Sequence, residues 1–359
     1  MLPALHYQSL LLQCRPGFEN DLSAEICQLA DRLSAPGYCR SKPDTGYIVF
    51  HGGDEQGLSQ LLEQLSFRQL IFARQSGACL EFLPQLPAGE RTAPIVAALR
   101  GIGKLSDIWL EYPDTNEGKQ LSTFCRRFRG PLLRAIGQAG IRVRANTAAP
   151  RLQLFFLDSG QCFVTLAAAD NGSPWPLGIP RLKMPAQAPS RSTLKLDEAI
   201  GVFLSADEQQ RRLAAGMRAV DLGAAPGGWS WQLTRRGLRV HAIDNGPIAP
   251  QVMATGLVEH LRADGFRYRP QRPVDWLVCD MVEQPGRIAA LMADWLARRD
   301  CREAIFNLKL PMKKRFASVQ ECLALIARRL ERAGIGHELA CKQLYHDREE
   351  VTVHVRLLP

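Results

Sequence analysis

The sequence predicts an α/β protein whose C-terminal half is a doubly wound, mostly parallel sheet preceded by smaller α+β modules. Three observations support this prediction. A short apolar run near 218–222 leads into a glycine-rich turn and then a helical segment, which is the order strand, turn, helix. From residue 190 onward, apolar strands alternate with longer helical segments, as in parallel sheets. Before residue 170, two shorter series of strands and helices follow one another.

Composition limits the possible partners and cofactors. The 359 residues are enough for two or three domains, and the net charge of +9 favours an anionic partner, nucleic acid before membrane. None of the ten cysteines forms a Cys-x-x-Cys pair, so reduced thiols, no metal site and a cytoplasmic location are expected. The N-terminus lacks the pattern of a signal peptide, and no apolar run approaches the 18 residues of a membrane span.

Two modules are predicted before the linker. Residues 1–80 read as a ferredoxin-like α+β domain, with Gln69 to Arg74 as one of its strands. The stretch Arg15-Pro-Gly-Phe-Glu19 resembles the start of the ferredoxin-like module that precedes many THUMP RNA-binding domains. Residues 81–170 fit such a THUMP-like domain, with a helix over 118–137 that Pro131 is expected to kink or break.

Basic residues suggest where an RNA backbone could lie. The helix over 118–137 carries arginines that are either a solvated face or a phosphate-binding face, since the guanidinium fork donates two bonds to one phosphate. Residues 171–189 are rich in Pro, Gly and Ser and read as a linker with a basic end. The candidate RNA-binding residues are Arg126, Arg127, Arg129, Arg181, Lys183, Arg191, Lys313 and Lys314.

The segment around 217–231 predicts a cofactor cradle in the domain at 190–359. Its turn, Asp221-Leu-Gly-Ala-Ala-Pro-Gly-Gly228, joins a buried strand to a helix N-terminus, and its glycines leave space for a ligand. Asp244 ends the next strand, where an acid can accept both hydroxyls of a ribose. The pattern is neither the dinucleotide fingerprint nor a phosphate-binding P-loop.

This turn resembles motif I of S-adenosylmethionine (SAM) dependent methyltransferases, in the form typical of FtsJ-like ribose 2′-O-methyltransferases. The resemblance implies a Rossmann-like methyltransferase domain whose sheet has one reversed strand at its edge. It also implies SAM as cofactor. The cofactor-binding residues that it implies are Ser192, Gly223, Ala225, Pro226, Gly227, Gly228, Asp244, Asp264 and Asp280.

Four charged residues are expected at one edge of that sheet. Asp280 and Lys309 each end an apolar strand, Lys195 precedes the first strand, and Glu350 begins the last. Each charge alone is often solvated or paired for structural reasons, but together they resemble the Lys-Asp-Lys-Glu tetrad of the FtsJ-like family. The resemblance implies that Lys309 takes the ribose proton, while Asp280 aligns its amine and Glu350 orients Lys195. A lysine accepts a proton only when its amine is neutral, and burial and the neighbouring Lys195 cation would both favour that form.

Other chemistries fit the sequence less well. Methylation of an exocyclic amine usually needs Asn/Asp-Pro-Pro-Tyr after the fourth strand, where this chain has Asp280-Met-Val-Glu283. Methylation of a pyrimidine at C5 needs a cysteine nucleophile, but Cys279 should point into the core if Asp280 points into the cleft. Glu349 is adjacent to Glu350 and is the alternative tetrad glutamate.

Three stretches resemble a bacterial branch of the family that methylates a cytidine ribose of 23S rRNA. They are Ala188 to Leu196, Phe306 to Lys314 and Gln343 to Val355. The resemblance implies 23S rRNA, free or in an early subunit precursor, as partner, with the target near the peptidyl transferase centre. We also expect a monomer that binds no membrane. The alternatives are ribose methylation of another RNA, an inactive RNA-binding protein with this fold, or methylation of proteins or small molecules.

Overall fold

The computed structural model describes residues 2–359, and the chain divides into two compact units, one up to Ile179 and one from Pro180 onward. The elements of the first unit are β1 (Ser9–Gln13), α1 (Glu19–Arg32), β2 (Gly37–Ser41), β3 (Tyr47–Gly52), α2 (Glu55–Gln64), β4 (Gln75–Leu83), α3 (Thr92–Ala98), β5 (Lys104–Leu105), β6 (Ile108–Glu111), α4 (Asn116–Gln138), β7 (Arg142–Val143), β8 (Arg151–Asp158) and β9 (Gln161–Ala167).

One seven-stranded sheet runs through the whole first unit, in the order β2-β3-β1-β4-β9-β8-β6. Its neighbours are antiparallel except for the parallel pair β6–β8, and β5 and β7 form a separate parallel pair. The pairing of β4 with β9 joins strands from both predicted modules, since Ala78 lies opposite Leu166. The modules therefore share a single sheet.

The predicted strand at 69–74 is wrong. Residues Phe67–Gln69 form a short 3₁₀ turn, and the strand starts only at Gln75. The buried carboxylate of Glu25 explains the difference, because it accepts the backbone N–H groups of Ile71 at 2.5 Å and Phe72 at 3.0 Å. Donors that bond to a side chain are not available to a neighbouring strand.

Helix α4 continues through Pro131, so the expected kink or break does not end it. The side chain of Thr115 caps the helix by accepting the N–H of Gly118 at 2.9 Å. Phe124 and Phe128 stack on each other and meet the buried Phe156 edge-on, which fixes the apolar side of the helix. Its exposed side carries arginines: Arg126, Arg127, Arg129 and Arg134.

Residues 171–179 pack onto the first unit. The Asn171 side chain accepts the Phe67 N–H and donates to the Leu65 carbonyl, both at 2.6 Å. The buried Glu111 carboxylate accepts the N–H of Leu177 at 2.5 Å. The first part of the Pro- and Gly-rich segment is therefore tied to this unit, and the division of the chain falls after Ile179.

The second unit contains the doubly wound sheet. Its elements are α5 (Thr193–Phe203), α6 (Ala206–Arg212), β10 (Arg218–Leu222), α7 (Gly228–Thr234), β11 (Arg239–Ile243), α8 (Pro250–Met253), β12 (Val258–Leu261), β13 (Val274–Cys279), α9 (Pro285–Ala297), β14 (Cys301–Lys309), α10 (Arg315–Arg332), β15 (His337–Lys342) and β16 (Glu350–Leu357).

The strand order of the second sheet is β12-β11-β10-β13-β14-β16-β15, and the first five strands are parallel. The reversed strand is β16, which is antiparallel to both neighbours. The prediction placed the reversed strand at the edge, but β15 occupies that position. Because β16 folds back between β14 and β15, its first residue, Glu350, lies opposite Lys309.

The core of this unit fixes the first helix over the sheet. Leu196 and Ile200 of α5 pack with Trp229 of α7 and Trp276 of β13 in one buried cluster. The full burial of these apolar side chains holds α5 in register with the strand ends. Lys195, next to Leu196, is thereby set at the carboxyl edge of the sheet.

A buried acid in the first strand of this sheet gives a pH-dependent term in stability. Burial raises the pKa of Asp221 to about 7, and the hydrogen bond from Ser230 Oγ at 2.7 Å offsets only part of that effect. The folded state therefore holds a proton that the unfolded chain releases near pH 4. The free energy of unfolding should fall as pH rises from about 4 to 7, by up to about 4 kcal/mol from this group.

Asp221→Asn should remove this decline, because the amide stays neutral and still accepts from Ser230. Urea unfolding at pH 5 and pH 8 measures the effect, with the exposed Asp207→Asn as control. If wild type and Asp221→Asn lost the same free energy of unfolding between pH 5 and pH 8, the assignment would be wrong.

Candidate active site

The four charged residues form a closed ring at the carboxyl edge of the second sheet. Lys195 Nζ lies 3.2 Å from Asp280 Oδ2 and also contacts Glu350 Oε1. Lys309 Nζ lies 3.0 Å from Asp280 Oδ1 and also contacts Glu350 Oε2. Each lysine thus touches both carboxylates. The ring is largely buried, and Glu350 is its least exposed member.

Strand register explains why these residues meet. Asp280 directly follows β13 and Lys309 ends β14, so parallel neighbours deliver both to one edge. Glu350 faces Lys309 across the antiparallel pair. Glu349 instead pairs with Arg315 at 3.2 Å, so the structure brings Glu350 and not Glu349 into the ring.

Sequence reasoning missed a buried polar chain beneath the ring. Asn307 Nδ2 donates to Asp280 Oδ1 at 2.9 Å, and Asn307 Oδ1 lies 2.7 Å from the Thr352 hydroxyl. That hydroxyl is also 2.8 Å from Asp347 Oδ2. Asn307, Thr352 and Asp347 are fully buried. For Asn307 and Thr352, the signal in the sequence was the two-residue spacing from Lys309 and from Glu350, which puts each on the same strand face as its ring neighbour.

Electrostatics keep Lys195 charged. Burial acts against the ammonium group, but Asp280 and then Glu350 outweigh it, so the pKa of Lys195 is raised. Lys195 therefore carries the positive charge that its predicted role beside Lys309 requires. Cys279, by contrast, is completely buried, and burial raises the pKa of its thiol to about 12. Such a thiol stays protonated, as expected for a core residue and not for a nucleophile.

The loop after β10 comes close to the ring. Gly223 has φ +74°, and a Cβ added there would lie 2.4 Å from Cγ of Met281. A Cβ at Gly265 would lie 3.1 Å from Met281 Sδ. Met281, which sequence reasoning missed, thus lies against the loops that follow β10 and β12, and it follows Asp280 directly. Only glycine fits Gly223, because its backbone is left-handed and its neighbour leaves no room.

The acid after β11 is already oriented. Asp244 Oδ2 accepts the N–H of Ala225 at 3.0 Å, and Oδ1 accepts the N–H of Gly246 at 2.7 Å. These bonds join the acid to the glycine turn, in which Pro226 precedes Gly227 at φ +108°. A carboxylate takes about four hydrogen bonds, so two further positions are available for ribose hydroxyls.

The start of α5 is attached to the same turn. Ser192 O accepts the Trp229 indole N–H at 3.1 Å, and Thr193 Oγ1 donates to the Gly228 carbonyl at 2.7 Å. A Cβ at Gly228 would lie 2.2 Å from Ser192 Oγ. Ser192 makes no side-chain cap bond to α5 and instead pairs with the Ser190 hydroxyl at 2.7 Å. The glycine turn after β10 and the helix carrying Lys195 are therefore linked.

Asp264 follows β12 but is only loosely held. Its carboxylate accepts the Phe266 N–H at 2.9 Å and pairs with Arg267 at 3.6 Å, with half of its side chain exposed. An exposed carboxylate there is accessible to an adenine amine. The arrangement fits SAM: a glycine-rich turn with only small side chains and a proline, an oriented carboxylate and a second, exposed carboxylate follow neighbouring strands of one sheet edge.

The candidate RNA-binding residues lie outside the ring. In the first unit, Arg126 and Arg127 are exposed, and Arg129 is 3.8 Å from Asp107. In the second unit, Lys314 is the residue that precedes α10, and its φ is 55°. The exposed cations of this unit include Arg181, Lys183, Arg191, Lys313 and Lys314.

Within residues 2–359, no helix is long and apolar enough to cross a bilayer, and no His, Cys, Asp and Glu side chains group as a metal site would.

The sheet and its cofactor loops define a SAM-dependent methyltransferase, and the FtsJ-like methyltransferase family model matches residues 188–322. The models "RlmM ferredoxin-like domain" and "Ribosomal RNA large subunit methyltransferase M, N-terminal" match residues 7–76 and 90–168.

Curated relatives extend these matches over almost the whole chain. A "Ribosomal RNA large subunit methyltransferase M" of Edwardsiella ictaluri is 52% identical, covering 97% of this chain and 93% of its own length. One of Azotobacter vinelandii is 51% identical, covering 98% of this chain and 99% of its own length. The chain belongs to the ribosomal RNA large subunit methyltransferase M (RlmM) family.

Proposed function

We propose that this methyltransferase transfers the methyl group of SAM to the 2′-oxygen of one cytidine ribose in 23S rRNA, near the peptidyl transferase centre. The ring of two lysines and two carboxylates carries the proposal, because a ribose hydroxyl is a weak nucleophile and needs a base. The printed names of the relatives support large-subunit rRNA as the substrate class. The choice of ribose over base is supported by the burial of Cys279 and the absence of Pro-Pro-Tyr after Asp280.

Lys309 is the proposed base. Its contacts with two carboxylates determine which of its N–H positions is left for the substrate. Two of its three N–H bonds point at Asp280 and Glu350. The third N–H is then left for the cleft that Lys309 lines. When that position is deprotonated, the lone pair is aimed at the cleft, where it can take the proton of a ribose hydroxyl.

The remaining ring members would hold the geometry and the charge. Lys195 stays a cation between the same two carboxylates, so the ring has two positive and two negative groups. A ring without net charge limits the cost of keeping four ionisable groups in a partly buried site. Asn307 donates a hydrogen bond to Asp280, and this bond fixes the orientation of the carboxylate to which Lys309 donates.

The proposed SAM site is the turn after β10 and its neighbours. The residues that would hold the cofactor are Ser192, Gly223, Ala225, Pro226, Gly227, Gly228, Asp244, Asp264 and Asp280. Bound SAM supplies an electrophilic sulfonium methyl group. The chain itself would orient the acceptor ribose, exclude water and receive its proton, all of which are positioning tasks.

The basic surfaces are the proposed RNA contacts. The net charge of +9 and the exposed arginines of α4 favour binding of a phosphate backbone. In the second unit, the cations after residue 180 and the pair Lys313–Lys314 would contact RNA near the target. We further propose a soluble, cytoplasmic monomer that acts on free rRNA or an early subunit precursor.

The function is tested with tritiated SAM and 23S rRNA from a strain that lacks this enzyme, followed by nuclease digestion and nucleoside mass analysis. We expect label as 2′-O-methylcytidine at a single position. Label on a base, or no label on rRNA that lacks the modification, would overturn the proposal.

Lys309→Ala should abolish methylation, with kcat at least ~100-fold lower, because the proton acceptor is lost. SAM affinity, measured by calorimetry, should change little, since Lys309 is not among the proposed SAM residues. Lys42→Ala, an exposed lysine in the first unit, is the matched control and should retain full activity. Retained turnover in Lys309→Ala would remove Lys309 as the base.

Asp244→Ala should weaken SAM binding and largely keep turnover at saturating SAM, which is the opposite of the result expected for Lys309→Ala. Removing the carboxylate eliminates the proposed ribose contact and frees the N–H groups of Ala225 and Gly246, so SAM should bind ~10- to 100-fold more weakly. Activity at saturating SAM should largely return. Glu259→Ala, an exposed acid on β12, is the control for calorimetry. An unchanged dissociation constant in Asp244→Ala would exclude it from the site.

A further inference from the structure

A cleft of about 240 Å³ opens beside the charged ring. Its lining residues are Lys195, Lys309, His346, Arg348, Glu349 and Glu350. Three of these belong to the ring, and the other three come from the loop that enters β16. The loop residues take no part in the proton transfer proposed above, although they line the same cleft.

His346 is held by a buried carboxylate. Its Nδ1 lies 2.6 Å from Glu198 Oε2, and Glu198 also accepts the backbone N–H groups of Tyr345 at 2.7 Å and His346 at 2.9 Å. The Glu198 side chain is only 3% exposed. Glu198 therefore fixes both the loop and the ring orientation of His346. With Nδ1–H bonded to Glu198, the Nε2 edge is the part of the ring available to the cleft.

The chemistry of RNA places a phosphate next to any 2′-oxygen. The 2′-hydroxyl and the 3′-phosphodiester are attached to adjacent ribose carbons, so a ribose that reaches Lys309 brings an anion a few ångströms away. Both lysines are already engaged by the carboxylates of Asp280 and Glu350. The remaining position of Lys309 is assigned to the ribose hydroxyl, so the other nitrogen donors that line the cleft are the candidates for the phosphate.

The cleft offers two such donors. Arg348 is exposed, while Glu349 is paired with Arg315 at 3.2 Å and Glu350 with both lysines, so these acids are partly neutralised. A guanidinium and an imidazolium both bind phosphate oxygens through short, charge-assisted hydrogen bonds. In the imidazolium form, His346 donates Nδ1–H to Glu198 and Nε2–H to the cleft.

We propose that His346 and Arg348 bind the phosphodiester on the 3′ side of the target ribose, with Glu198 as the positioning residue for His346. The inference rests on the proposed ribose methylation and adds a substrate subsite to it. The phosphate contact would seat the ribose so that its 2′-oxygen meets the Lys309 amine, and this orientation supplies part of the rate.

The test uses 23S rRNA assembled by ligation, with either the natural phosphodiester or a neutral methylphosphonate 3′ to the mapped target nucleotide. For wild type, the methylphosphonate should lower kcat/KM for RNA ~10- to 100-fold, because a charge-assisted contact is lost. For the double variant His346→Ala, Arg348→Ala, activity on natural RNA should already be low, and the methylphosphonate should cost little more.

Two substitutions separate contact from loop structure. The side-chain amide of asparagine at position 346 can replace Nδ1 and still donate to Glu198, but it has no group at the Nε2 position. The longer glutamine side chain places an amide donor near the Nε2 position. His346→Asn should therefore lose kcat/KM as His346→Ala does, while His346→Gln should recover part of it. SAM affinity should stay at the wild-type value in every variant, which shows that the fold persists.

The matched controls lie at the other end of the same strands. His337→Ala at the start of β15 and Arg356→Ala near the end of β16 should behave as wild type. An equal methylphosphonate effect in wild type and the double variant would overturn the inference, as would full rescue by His346→Asn. If wild type itself failed to methylate natural rRNA, the proposed function would fail instead.

Discussion

Two lysines and two carboxylates share one partly buried edge of a sheet, and the arrangement of the second unit depends on their mutual pairing. A single buried charge would be costly, but each amine here touches two carboxylates. The fold satisfies this constraint through strand β16, which reverses and enters between β14 and β15. That reversal places Glu350 opposite Lys309, which an all-parallel continuation would not do.

Direct contacts join the charged ring to the loops after β10 and β12. Met281 follows Asp280 directly and lies against Gly223 and Gly265. On the other side, the hydroxyl of Thr193 binds the carbonyl of Gly228, which ties the helix of Lys195 to the same turn. A shift in the glycine turn would therefore move both ends of the ring. This coupling suits a reaction in which methyl donor and acceptor must be aligned.

The first unit has its own sheet, and helix α4 on that sheet carries a basic surface. One continuous seven-stranded sheet supports helix α4, whose aromatic side packs on Phe156 and whose opposite side is rich in arginine. The separation of apolar and basic faces follows from helical periodicity alone. The THUMP-like character of residues 81–170 remains a prediction from sequence.

The sequence by itself determined the alternating strands and helices, the glycine turn and the charged residues that lie next to strand ends. Strands and turns are local features, and they appear in the sequence as apolar runs that glycines interrupt. Only the tertiary structure decided that Glu350 and not Glu349 enters the ring, and that Asn307 supports Asp280. It also joined two predicted modules in one sheet and attached His346 to Glu198. These features depend on strand register and on contacts between distant residues, which side-chain periodicity within one element does not encode.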